Sequence, residues 1–131
     1  MGRIVFDGNV VIALLDSNNI HHDQAVEIYL ASTSSSIHLS ALTYAEILTH
    51  PAGTKNLAKF VSNLSAGGFE VEESSTELAI DIAKVRQATG LKMPDACVLA
   101  LAKHLDCELI TADRQLAGKA KQYKVKTRLL V

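Results

Sequence analysis

Short runs of β-branched residues alternate with helical patterns along this chain, and that alternation is its strongest constraint. The runs Arg3-Ile4-Val5-Phe6, Ile37-His38-Leu39-Ser40, Phe69-Glu70-Val71 and Glu108-Leu109-Ile110-Thr111 read as buried strands, and residues 126–130 read as a last one. Between them, residues 9–15, 22–31, 41–49, 54–64, 75–89, 94–105 and 114–123 carry apolar positions at helical spacing. The third of these helices is expected to stop at Pro51, because the residue before a proline avoids the α region. Gly67-Gly68 and Gly90 close two others, and Pro94 opens the sixth in its first turn, where a missing N–H costs nothing. Strands separated by helices imply a central, mostly parallel sheet of four to five strands with right-handed crossovers and helices on both faces, an α/β fold.

The 131 residues fit one domain, spanning 1–131, with no internal repeat or linker. At 48% hydrophobic and 21% charged, the chain has the composition of an ordered globular protein. Two cysteines make neither a disulfide scaffold nor a tetrahedral zinc site, and each lies in an apolar stretch that reads as core. No apolar run approaches the ~20 residues of a membrane helix, and the N-terminus meets Asp7 too early for a signal peptide. A cytoplasmic, reduced protein without a membrane partner is therefore expected.

The net charge of −1 argues at first against a polyanionic partner. It conceals an asymmetry. Residues 1–91 hold five Lys/Arg against ten Asp/Glu, a net of −5, and residues 92–131 hold eight against four, a net of +4. The basic positions Lys119, Lys121, Lys124, Lys126 and Arg128 form a strip suited to a phosphate backbone or to a solvated terminal helix and strand, and Arg114, beside Asp113, suits a scissile phosphate or plain solvation.

In α/β folds ligands sit beyond the carboxyl ends of the strands. Asp7 follows the first strand and Asp113 the fourth, so both belong to that edge. Each equally fits a helix N-cap, and Asn9 is an alternative cap that leaves Asp7 free. Asp95 lies in a first helical turn, yet its helical neighbours Val98, Leu99 and Ala102 are apolar. A carboxylate on such a stripe requires a partner or a metal ion. Glu46 sits in mid-helix among Thr43, Thr49 and His50, where a solvated face also accounts for it. Together the four acids make an oxygen-rich set suited to a hard cation, Mg2+ or Mn2+, which activates water and clamps a phosphodiester. Asn9 and Thr111 stand two residues from Asp7 and Asp113 and can support them by hydrogen bonds.

Four stretches, Val5-Phe6-Asp7-Gly8-Asn9-Val10, Thr43-Tyr44-Ala45-Glu46-Ile47, Met93-Pro94-Asp95-Ala96 and Ile110-Thr111-Ala112-Asp113, occur in the order seen in PIN domains. The chain resembles a VapC-type toxin ribonuclease from residue 4 to about residue 128. The resemblance implies a Mg2+- or Mn2+-dependent endoribonuclease with an acidic quartet of Asp7, Glu46, Asp95 and Asp113. Asp7, Asp95 and Asp113 would hold the metal, with Asn9 or Thr111 in support. It also implies an RNA substrate, a homodimer and a cognate antitoxin of a type II toxin–antitoxin module. Arg114, Lys119, Lys121 and Lys124 would contact RNA. One departure is Gly8, where many relatives carry threonine.

Other features have plainer readings. His21-His22 and His50 read as capping or surface residues. The Leu57, Phe60, Val61 and Leu64 stripe serves either the core or a partner helix. Two alternatives remain for the chain's role. One is a non-catalytic RNA-binding or protein-interaction module of the same fold. The other is a receiver-like phosphoryl-acceptor domain, disfavoured because no proline follows Pro94 and no second acid adjoins Asp7.

Overall fold

The computed structural model describes residues 2–131. Its elements run β1 (Arg3–Phe6), α1 (Gly8–Leu15), α2 (His22–Ala31), β2 (Ser36–Ser40), α3 (Ala41–Ala52), α4 (Leu57–Ala66), β3 (Phe69–Glu72), α5 (Thr76–Thr89), α6 (Met93–Leu105), β4 (Glu108–Thr111), α7 (Arg114–Gln122) and β5 (Thr127–Leu129). The strands form one sheet in the order β3-β2-β1-β4-β5. Every pairing is parallel, as helix-separated strands require.

The order explains how helices come to cover both faces. The chain steps outward from β1 through β2 to β3, then returns across the sheet to β4 and β5. With crossovers of one hand, the two directions lay their helices on opposite faces. Ile4, Phe6, Ile37, Leu39 and Ile110 accordingly pack with Val10, Ile28, Ile47 and Leu64 of the first four helices. Val5 and Leu109 pack with Leu78, Val85, Leu99 and Leu116 of the last three. Helix α6 is the most deeply placed, with Ala96 to Ala102 all buried. A helix apolar on every side is a central one, and truncating its Leu99 to alanine is expected to cost about 2–5 kcal/mol.

Two helix boundaries differ from the sequence reading. Helix α3 continues through Pro51 to Ala52. Pro51 falls in the last turn, where its missing N–H removes one hydrogen bond and its buried ring contributes to packing. The turn is closed beyond it by the Gly53 and Thr54 amides, which donate to the His50 and Pro51 carbonyls at 3.1 and 3.0 Å. Helix α4 begins at Leu57 rather than 54 because the Thr54 side chain competes for the local backbone. Its hydroxyl donates to the Pro51 carbonyl and accepts from the Asn56 amide.

The switch point of the sheet lies between β1 and β4, which pair with each other while their following segments lead to opposite faces. A crevice at the carboxyl edge opens there. Asp7 and Asp113 stand at its two sides.

Candidate active site

Asp7 ends β1 and caps α1. Its amide donates to the Ile110 carbonyl at 2.9 Å, which ties it to β4, and its Oδ1 accepts from the Gly8 amide at 2.8 Å. Oδ2 accepts from the Thr111 hydroxyl at 2.8 Å. The same Thr111 oxygen accepts from the Asp113 amide at 3.0 Å. One hydroxyl therefore links the two acids across strands adjacent in space but about a hundred residues apart in sequence. Asn9 closes the arrangement by accepting from the Ala112 amide at 3.0 Å.

Asp113 caps α7, with Oδ1 accepting from the Gln115 and Leu116 amides at 2.8 and 3.2 Å. Those bonds use one oxygen and leave Oδ2 for a ligand. Capping and a role in the site are thus compatible for both Asp7 and Asp113.

Asp95 arrives from the other side of the sheet, in the first turn of α6. The charges of Asp7 and Asp113 are felt at Asp95. Burial pushes the Asp95 carboxyl up to about 6, and the negative charges of Asp7 and Asp113 add to it, against a smaller opposing pull from Lys92. Asp7 is 8% exposed, and its carboxyl is also raised, first by burial and then by Asp113. Hydrogen bonds from Thr111, Gly8 and Asn9 hold that rise down.

Glu46 is exposed on the second turn of α3, and its charge adds to the rise that burial gives the thiol of Cys97, two residues after Asp95 on α6. The basic positions divide. Arg114 is at the acidic edge, directly after Asp113. Helix α7 then runs back along the sheet, which carries Lys119 away and brings Lys121 and Lys124 to the opposite edge.

Three features of the site escape a reading of the sequence. Lys92 is the one base whose charge reaches Asp95. Its only signal is a basic residue at a helix start with an acid three positions on. Ser40 caps α3, accepting from the Thr43 amide at 3.0 Å and donating to the Thr43 hydroxyl at 2.9 Å. That Ser-x-x-Thr spacing is a capping signal. Finally, a Cβ at Gly8 would lie 3.4 Å from Thr43 Cγ2, so the buried Thr43 methyl flanks Gly8.

The donor set fits a hard divalent cation. It is all oxygen, strongly acidic, partly buried and mutually repulsive, which a cation relieves. Among the described residues no three side chains stand close enough to grip one ion directly. Mg2+ accepts such a site, because it keeps several waters and uses one or two carboxylates.

The parallel α/β sheet thus carries Asp7 and Asp113 at its switch point, with Asp95 of α6 near enough to feel their charge. The PIN domain model matches residues 4–122, and the chain belongs to the PIN domain family. Among solved structures it resembles a chain of a toxin–antitoxin complex from Klebsiella pneumoniae at 29% identity, with a TM-score of 0.71, covering 88% of this chain and 91% of that one. It also shares the fold of VapBC2 from Rickettsia felis bound to a promoter DNA fragment, at 14% identity, TM-score 0.72, and 98% and 99% coverage. DNA-bound VapBC from Salmonella typhimurium matches over the whole of both chains at 15% identity and TM-score 0.72. No curated protein matches the sequence. Among the described residues no helix is long and apolar enough to cross a membrane.

Proposed function

We propose that this chain is the toxin of a VapBC-type pair and a Mg2+- or Mn2+-dependent endoribonuclease. The observation that carries the reading is the meeting of Asp7 and Asp113 at one sheet edge through the Thr111 hydroxyl, with Asp95 near enough to feel both charges. Nuclease activity is the general role of PIN domains, and the Klebsiella chain supports a toxin–antitoxin setting.

When bound, the divalent cation activates a water and neutralises charge on the scissile phosphate. Asp7, Asp95 and Asp113 would hold the cation, partly through its waters, with Asp7 fixed by the Thr111 hydroxyl and the Gly8 amide. Thr111 keeps Asp7 ionised by hydrogen-bonding its charged form. Arg114 and Lys92 supply positive charge at the rim, where a strand's phosphates would lie. Glu46, exposed on α3, would bind a second metal ion or orient the water.

The antitoxin partner has a candidate seat away from the acids. Leu14, Leu15, Tyr29, Phe60, Leu64 and Phe69 line an apolar groove of about 250 Å3. Phe60 and Leu64 of the α4 stripe thus serve both the core and this groove. An antitoxin helix with an apolar face matches it.

The test is cleavage of a panel of transfer and ribosomal RNAs with Mg2+, with Mn2+ and with chelator. Metal-stimulated endonucleolytic products are expected from the wild type, and none from folded Asp95→Asn. Equal cleavage by the variant, or no cleavage of any RNA with either metal, overturns the reading. Light scattering of the same preparation tests the homodimer.

A further inference from the structure

The edge of the sheet opposite the aspartates holds a basic cleft. It has a volume of about 780 Å3, and its wall includes Arg3, Lys103, Tyr123, Lys124 and Lys126. Two acids line it as well. Glu108 is already engaged by Arg128, whose guanidinium donates to it at 3.1 Å, and Asp106 lies on the exposed rim. The remaining charge is strongly positive. An aromatic surface is present too, since Tyr123 carries the Lys103 ammonium 4.7 Å from its ring centroid. Positive charge interleaved with an aromatic ring is the make-up of a single-stranded nucleic-acid groove.

Helix α7 joins this cleft to the acidic edge. Its nine residues span ~13 Å. From Arg114 to the C-terminus there are six Lys/Arg and no Asp/Glu. Arg114 and Lys121, two turns apart on one face, are both exposed.

Lys124 marks the point where this ridge enters the cleft. Its φ is 60°, a left-handed conformation that glycine adopts without strain and lysine does not. The left-handed turn ends α7, closed by the Val125 amide donating to the Ala120 carbonyl at 2.9 Å, and it sets Lys124 in the cleft wall.

We propose that the cleft is a second RNA contact. A single strand cut at the aspartates runs along α7 and anchors its phosphates at Lys124 and Lys126. This rests on the endoribonuclease reading for what is cut, but the anchoring itself is measured without cutting.

The probe is a labelled single-stranded pyrimidine RNA of about twelve nucleotides, with a four-nucleotide strand for comparison. Binding is followed by fluorescence anisotropy in chelator over a range of salt. The variant is Lys124→Gly with Lys126→Ala, in which the glycine relieves the strained backbone, so melting at or above the wild-type temperature is expected. At about 0.1 M salt the long strand is expected to bind the variant roughly tenfold more weakly, with a salt slope shallower by about 1.4 for two lost phosphate contacts. The short strand, which fills the cleft without reaching the acidic edge, is expected to bind the wild type more weakly than the long one and to lose affinity in the variant as well.

Unchanged affinity and slope for the long strand overturn the proposal. Tighter binding of duplex DNA than RNA, with the same loss in the variant, also overturns it and makes the cleft a DNA contact. A wild type that binds as expected but cleaves no RNA leaves the anchor standing and refutes only the catalytic reading.

Discussion

Thr111 binds the two halves of the acidic site with a single oxygen, donating to Asp7 and accepting from the Asp113 amide. It is fully buried, so neither partner finds water if the hydroxyl is removed. Thr111→Val keeps the shape and strips the bond. The expected cost is about 1–3 kcal/mol by urea denaturation, with metal affinity reduced ~10–100-fold by calorimetric titration. Asp95 gives a pH-dependent counterpart. Its folded carboxyl titrates at about 6, against an ordinary 3.8. The folded state therefore holds the proton more tightly, and that stabilisation is complete below pH ~3.8 and lost as pH rises through ~6. Metal-free Asp95→Asn should show a flatter fall in melting temperature between pH 4 and 7, leaving the part due to Asp7. An identical profile for variant and wild type would contradict the assignment. Asp7, Asp113 and Thr111 were legible in the sequence, because a strand's end fixes where its next residues point. Lys92 was not, since its relevance depends on where α6 lands.

At the level of elements, β3 is an edge strand whose outward-facing side needs an explanation. Glu70 and Glu72 lie in register with His38 and Ser40 of β2. His38 is buried, shares a hydrogen bond between Nδ1 and Glu72, and sits 2.8 Å from the Ser36 hydroxyl through Nε2. This side-chain bridge holds the carboxyl end of β3 to the sheet, while Phe69 at its start packs against Phe6 and Tyr29. His38→Ala is expected to cost about 1–3 kcal/mol, because it leaves Glu72 without its partner. Amide exchange should quicken first over Phe69–Glu72, and uniform acceleration across all five strands would show that the bridge is not local. The alternation of β-branched runs was enough to place β1, β2, β3 and β4 and to make the sheet parallel. Helix ends were less legible. Pro51 looked like a terminator, yet a proline in a last turn removes only one bond, and Thr54 moved the next helix start by competing for backbone groups.

Across the whole molecule, charge is divided between the two edges of one sheet. Sequence alone grouped Lys119, Lys121 and Lys124 with Arg114, because it cannot register that a nine-residue helix separates them by the depth of the domain. The net charge of −1 hides both a cluster of like-charged acids and a basic cleft. That division makes metal binding a folding event as well as a catalytic one. A cation that binds the folded acids and not the unfolded chain stabilises by RT ln(1 + [L]/Kd), about 2.7 kcal/mol at a hundred times Kd. For a domain of this size that corresponds to a rise in Tm of roughly 10 °C. Mg2+ or Mn2+ should produce it near pH 7.5, and chelator should reverse it. Near pH 5 the rise should shrink, because protons compete at Asp95 once the pH falls below its value of about 6. Asp95→Asn removes a metal-facing carboxylate and should lose most of the rise at either pH. If metal lifted the variant and the wild type equally, the ion would be binding elsewhere on the chain, and Asp7 and Asp113 would be helix caps alone.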